Sequence, residues 1–444
     1  MTECKRQFVR FVVFVSFAVM AFGTRAHAQS LRLPIEEAQA RAGAASHRLA
    51  EARAREASAA GAVLAREAAD RPNIGAGAGY TRTNHVVEFG FPTPLGVLQI
   101  IYPDVPDNYD TRLQMQWPIY NGGRTDALER AARAEASATT AETAAAQADL
   151  RLDVAQAFWA LVTARATVDV LDRGLDRVQA HLRDARERLS AGFTAPNEVA
   201  SAEATESRQR MLIIQGRNRQ SLASAALARL IGADLVQPIE PAATLDLPVA
   251  AQAALDVEVN EAKANRSDRR AIEQRIQAAD EQRAAAVGSK RPVINIASAF
   301  DYANPNPRIF PRAARWKPSW EAGVTAAWSL WDGGRSRGEV MQAAGIADAA
   351  RQRLAEFDSL LALDVRQRQL ELDSGRAAVA AAADAIRAAT EARRVVTERY
   401  QAGVLSQTEV LDANDALLQA ELDQTRAIAD VRLAEARLNR TLGR

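Results

Sequence analysis

The sequence predicts an α+β chain in which one unit, helix–strand–strand–helix, occurs twice, with four membrane strands and long coiled-coil helices per chain. Three observations carry this: an export signal at the start, a duplication that keeps one register, and aromatic-framed alternating segments between proline-free helical stretches.

The export signal comes first. Lys5, Arg6 and Arg10 form a basic head, residues 11–22 are an apolar run, and Ala26-His27-Ala28 precedes Gln29. This is the three-part secretory pattern with an A-x-A cleavage site. The apolar run is shorter than the roughly 20 residues a membrane helix needs. Removal of residues 1–28 takes away Cys4, the only cysteine, so no disulfide, thiol nucleophile or cysteine metal ligand is expected. Gln29 also stands where a lipid-anchored chain would carry cysteine. The segment removes four of the 56 basic and one of the 55 acidic side chains, leaving a slightly acidic chain without the basic footprint of a nucleic-acid binder. Beyond the signal no run of about 18 apolar residues is evident. An exported chain of this kind stays in the periplasm or enters the outer membrane as β-strands.

The duplication is read from spaced landmarks. Tyr120-Asn121-Gly122-Gly123-Arg124 recurs as Trp331-Asp332-Gly333-Gly334-Arg335, an offset of 211. Arg188-Leu189-Ser190-Ala191-Gly192 recurs as Arg399-Tyr400-Gln401-Ala402-Gly403, and Glu198-Val199 as Glu409-Val410, both again 211 apart. Upstream, Arg71-Pro72 and Arg291-Pro292 are 220 apart, so the first copy is nine residues longer, an excess suited to a loop. The expected organisation is a signal at 1–28, a first repeat at 29–232, a proline-bearing linker at 233–255 and a second repeat at 256–444. Each repeat opens with a helix. Strands follow at about 74–82 and 110–118, then at 293–303 and 319–330. Long helices are expected at 122–191 and 333–402, and shorter ones at 195–231 and 407–442.

The long stretches are rich in Ala, Arg, Glu, Gln and Leu, strong helix formers, and hold no proline. Each would measure about 105 Å as one helix. Val154, Phe158, Leu161, Val168, Leu171, Leu175, Val178, Leu182 and Leu189 are spaced by three, four and seven, a coiled-coil seam.

Ten of the twelve Trp and Tyr residues fall within 71–122 and 291–332, as interfacial aromatic girdles require. Leu113, Met115 and Trp117 alternate with Arg112, Gln114 and Gln116; Trp320, Ala322, Val324, Ala326, Trp328 and Leu330 alternate with smaller or polar residues. A soluble antiparallel sheet with one wet face gives the same period, but leaves the aromatic placement unexplained. Four strands cannot close a membrane barrel, whose smallest members have eight. The chain is therefore expected to oligomerise; three copies give twelve strands, and counting also permits two or four.

The duplicated Tyr-Asn-Gly-Gly and Trp-Asp-Gly-Gly turns and the Arg-x-x-x-Gly turns after each long helix resemble those of TolC-like outer-membrane efflux proteins, over essentially the whole mature chain. The resemblance implies a homotrimeric twelve-stranded barrel in outer-membrane lipid, continued by a periplasmic helical tunnel. It implies a passive exit duct fed by an inner-membrane transporter through a periplasmic adaptor protein. The adaptor would dock on the helix–turn–helix tips, Gly192, Phe193 and Thr194 in the first repeat and Gly403, Val404, Leu405 and Ser406 in the second. The narrow end would be lined by Glu409 and Asp412, with Tyr400 beside it. In the family an arginine near this turn links an aromatic and an acid to hold the end shut; Leu405 stands at its position. Rings of such carboxylates favour cations. Ser406-Gln407-Thr408-Glu409 also reads as a capping box, which gives Glu409 a purely structural role.

Gly75-Ala76-Gly77-Ala78-Gly79 is expected to be a strand rather than a dinucleotide loop, because alternation runs on to Tyr80. His47, His85 and His181 are widely spaced and expected on the surface, with no metal site, cofactor or catalytic set. Two other readings stay open: the outlet of an ATP-driven protein secretion system, and a periplasmic coiled-coil adaptor or structural protein.

Overall fold

The computed structural model describes residues 31–245 and 253–444. The expected signal at 1–28 and the middle of the expected linker lie outside the described residues. In chain order the elements are β1 (Leu31–Leu33), α1 (Ile35–Ala45), α2 (His47–Glu67), a short 3-10 turn (Ala68–Asp70), β2 (Asn73–Arg82), β3 (Phe89–Pro92), β4 (Leu98–Tyr102) and β5 (Asp107–Tyr120). These are followed by α3 (Arg124–Ser190), α4 (Pro196–Ile231), β6 (Ile239–Pro241), α5 (Leu255–Asn265) and α6 (Ser267–Gly288). The chain ends with β7 (Val293–Asn304), β8 (Lys317–Ala327), α7 (Arg335–Gln401) and α8 (Gln407–Leu442).

The boundaries repeat with the sequence. Both ends of α3 and α4 recur 211 residues later in α7 and α8, and the starts of β2 and β7 are 220 apart. The opening helix of each repeat is in fact two helices, broken at Ser46 and at Arg266, where the backbone is extended. Strong helix formers on both sides hide that break from the sequence. The connection between the first two expected strands, where the extra residues of the first copy suit a loop, contains a β-hairpin, β3 with β4.

The chain divides into two compact units. The first comprises residues 31–47, 147–262 and 363–444. Its core is the seam of α3: Val154, Phe158, Leu161, Val168, Leu171, Val178 and Leu182 are buried, and Leu175 and Leu189 are half-buried. Leu171 meets Ile213 of α4 and Leu418 of α8, so one cluster joins three helices. α3 is long and apolar enough by composition to cross a membrane, yet half of its most apolar 18-residue window is buried within the chain. At the chain start, β1 pairs in parallel with β6, Leu31 opposite Ile239, which gives the expected linker a strand.

The second unit comprises residues 48–146 and 263–362. Its sheet has the order β2-β5-β7-β8, antiparallel throughout. The register places Ile74, Met115, Ser298 and Ala322 in one row, and Ala76, Leu113, Phe300 and Trp320 in the next. That face is apolar and bare: Trp320 is 75% exposed and Val324 67%. Tyr80, Tyr109, Tyr302 and Trp316 cluster at its outer end, with Trp316 stacked on Tyr302 at 5.0 Å. The other face carries Arg112, whose Nη2 donates to Glu321 Oε1 at 2.8 Å and which pairs with Asp301 at 3.5 Å. Arg308, from the loop after β7, also binds Glu321. An apolar face framed by aromatics and a polar face knitted by ion pairs suit lipid on one side and water on the other.

β8 stops at Ala327, three residues short of the expected 330. Its last partner is Val293, and Pro292 before it has no N–H to extend the ladder. The indole of Trp328 instead donates to Lys290 O at 3.0 Å, as Trp117 does to Asp70 O at 3.0 Å. The Gly-Gly turns then start the long helices. Gly122, Gly123, Gly333 and Gly334 all have φ between 70° and 94°, a conformation costly for other residues. Asn121 and Asp332 cap the helices that follow: Thr125 N–H donates to Asn121, and Ser336 and Gly334 N–H donate to Asp332. The Ser336 hydroxyl, which also donates to Asp332, and then these backbone donors hold the Asp332 carboxyl down at about 2. A Cβ on Gly122 would lie 2.4 Å from Gly288 O. Gly122→Ala is therefore expected to lose more than about 2 kcal/mol, from left-handed strain plus the clash. Urea unfolding of the detergent-purified protein measures this, with Gly192→Ala, which clashes with nothing, expected to lose less.

Candidate functional site

The helix–turn–helix tips of the first unit are built by the same local chemistry twice. α3 ends in a Schellman turn: Gly192 N–H donates to Leu189 O at 3.0 Å and Phe193 N–H to Arg188 O at 2.8 Å. α7 ends identically, Gly403 to Tyr400 O and Val404 to Arg399 O, both at 2.9 Å. The turns push Phe193 and Val404 into solvent, while Thr194 and Leu405 are half-buried and Ser406 is exposed. Pro196 opens α4, and Thr194 hydrogen-bonds Glu198 across that start. The two tips are tied by Gln407, buried, whose Nε2 donates to Glu198 O at 2.7 Å.

Glu409 acts as a cap: Ser406 N–H donates to its Oε2 at 2.8 Å, and its first-turn position also suits the helix dipole. Asp412, one turn on, is exposed and takes no ion-pair partner among the described residues. Asp415 lies another turn along α8. Burial raises its pKa most, Arg208 on α4 opposes that, and Asp412 adds to it.

Tyr400 sits in the last turn of α7. It is 5% exposed, and no hydrogen bond or ion pair links it to Glu409 or Asp412 among the described residues. Its neighbours come from α3. The Arg188 guanidinium lies 4.5 Å over the ring, and its nitrogens donate to Tyr400 O at 3.4 Å and Gln401 O at 3.5 Å. Asp184 holds Arg188 in place at 3.1 Å. A guanidinium on the last carbonyls of a helix and on an aromatic face is doubly favoured. No arginine is needed at Leu405 for one to reach this ring; it arrives from the other repeat.

His181, expected on the surface, is 8% exposed, its ring 5.4 Å from that of Tyr400. Its Nε2 and the Tyr400 hydroxyl are both buried without partners. They border a cavity of about 420 Å³ that Asp176, Arg177, Arg393 and Asn414 also line. Burial lowers the His181 pKa most; Asp184 and Glu198 oppose this and Arg188 adds to it. Burial likewise raises the Tyr400 hydroxyl. Nearby, Arg177 and Glu421 form a two-pronged ion pair between α3 and α8 at 2.7 and 3.3 Å. His85 lies on the surface as expected, and pairs with Asp104 at 2.7 Å. Among the described residues no cluster of His, Cys, Asp and Glu could hold a metal ion.

The chemistry at the tips is that of turns, caps and clasps. The model of the outer membrane efflux protein family matches residues 39–233 and 259–444, both repeats in turn. The chain belongs to the outer membrane efflux protein family. Its fold is that of the CusC transmembrane channel, with a TM-score of 0.78, 16% identity and 95% of each chain covered. It is also that of the outer membrane protein VceC of Vibrio cholerae, at 0.76 and 20%, covering 92% of this chain and 96% of that one. The open-state MtrE outer membrane channel of Neisseria gonorrhoeae matches at 0.75 and 19%, covering 92% and 88%. No curated sequence matches the chain. The family places the protein in the outer membrane with a large periplasmic portion, as an efflux channel and not an enzyme. The periplasmic adaptor reading falls with it.

The buried imidazole gives the tip a signed pH response. Because burial holds its pKa below the ordinary 6.5, the packed tip favours the neutral ring. That stabilisation is whole above 6.5 and is lost as pH falls through the lowered value. Protection against hydrogen exchange at the ends of α3 and α7, taken relative to the intrinsic rate at each pH, is expected to fall between about pH 7 and pH 5. His181→Gln should flatten that step; an unchanged profile would remove His181 from it.

Proposed function

We propose that three copies of the chain assemble into the exit duct of a tripartite pump for small amphiphilic molecules. Cargo passes from an inner-membrane transporter through a periplasmic adaptor and leaves by passive conduction. The observation that supports this most is the sheet: four strands with one lipid-suited face and two edges unpaired among the described residues, in a chain whose both repeats match an efflux family. Small molecules are favoured over proteins because the family is one of efflux.

The tips give the duct its working parts. Phe193 and Val404, apolar and bare beside Gly192 and Gly403, offer the adaptor its docking knobs, with Thr194, Leu405 and Ser406 around them. Asp412 supplies the carboxylate of the constriction. Glu409 shares that charge while capping α8. Tyr400, clasped by Arg188, fixes the end of α7 and so the position of the constriction.

Cells lacking the gene should accumulate a fluorescent amphiphile several-fold above the parent strain, and Asp412→Asn should lower the cation preference of single channels while conductance remains. Unchanged accumulation with loss of secreted proteins would favour the outlet of an ATP-driven secretion system instead.

A further inference from the structure

The outer end of the sheet carries a feature that neither lipid nor the tips explain. Between Glu88 and Asp104 no charged residue occurs, yet this stretch folds as the free-standing hairpin of β3 and β4. Val87, Phe89, Phe91, Leu95, Val97 and Leu98 are all exposed, Leu95 to 91%. A contiguous bare apolar surface of this kind in water marks an interaction site. The charges stand at the base and satisfy one another: His85 with Asp104 at 2.7 Å, and Asp104 N–H to Glu88 at 3.3 Å.

Two observations say what covers the hairpin. First, its base is tied to the polar face of the sheet. Arg312 binds the Tyr102 hydroxyl at 2.8 Å and Asn108 Oδ1 at 2.5 Å, and its N–H donates to Ile101 O at 3.2 Å. Asn108 lies two residues before Asp110 and four before Arg112, on the face that carries the ion pairs. The lipid side at the same end is already occupied by Tyr109, Tyr302 and Trp316. No Lys or Arg stands between Arg82 and Arg112 to meet anionic headgroups, as an interfacial anchor would require. Second, the hairpin follows β2, an edge strand of the sheet, after six residues. It therefore rises at the seam where another copy must join.

We propose that the β3–β4 hairpins of the three copies lean over the pore and pack tip against tip, closing its outer mouth with an apolar plug. The occupant of each hairpin's bare surface is thus a second copy of this chain. Such a constriction resists ions and water by dewetting and parts when cargo presses an amphiphilic surface into it. The inference rests on the trimeric duct of the preceding section.

The test uses the full-length protein in isolated outer membranes, where processing at the predicted site leaves no native cysteine. Leu95→Cys and Phe91→Cys, oxidised in the membrane, are expected to give a two-chain band for most chains on a non-reducing denaturing gel. Phe89→Asp with Phe91→Asp should at least double single-channel conductance. An amine cross-linker applied to the unsubstituted protein reports assembly independently, so failure to assemble is told apart from failure of the hairpins to meet. Three assembled chains with no cysteine cross-link, free labelling by a water-soluble maleimide and unchanged conductance would overturn the plug. Quenching of a fluorophore on Cys-substituted position 95 by doxyl-labelled lipid would overturn it in favour of the membrane surface.

Discussion

Everything in this chain follows from two bare strand edges. β2 and β8 each present a row of N–H and C=O groups with no strand partner among the described residues. In hydrocarbon each such group costs several kcal/mol, more than any side-chain contact nearby can return. The sheet cannot remain open, and four strands are too few to curl shut. Association of copies is therefore a condition of membrane insertion and not an elaboration of it. The apolar face, with Trp320, Val324 and Ile74 exposed, is stable only under the same condition, since water would leave it uncovered.

The same chemistry is used twice to join strands to helices. A strand ends, an indole N–H anchors its base, two glycines turn through positive φ, and Asn121 or Asp332 caps the helix. These requirements leave little freedom of residue type, which is why a 211-residue offset survives in Gly-Gly and in the tip glycines while the coiled-coil faces have diverged. The divergence matters at the tips. Leu189 and Tyr400 occupy matching positions, but only Tyr400 is covered by a guanidinium and an imidazole, both supplied by α3. The two repeats have become a holder and a held element.

The architecture was legible where the chain must satisfy a local rule. Helix ends, the seam from Val154 to Leu189 and the alternating strands could be read because capping, knobs and pleats impose fixed spacings. The Ser406–Glu409 cap was legible for the same reason. What stayed hidden depends on distant segments meeting. The cluster of Arg188, His181 and Tyr400 joins residues more than 200 positions apart, and His181 alone looks like a surface histidine. Asp415 takes its raised pKa mainly from burial, which no spacing reveals. The β3–β4 hairpin was disguised by Pro92, Pro94, Pro103 and Pro106, which read as a loop because proline rarely sits in strands.

The most direct measurement is the mass of the protein extracted from outer membranes into detergent, by light scattering corrected for bound detergent. Three chains per particle are expected, because twelve strands then close with no free edge. A monodisperse single chain that retains its strands would contradict this, since β2 and β8 would then lie open in the membrane without a partner.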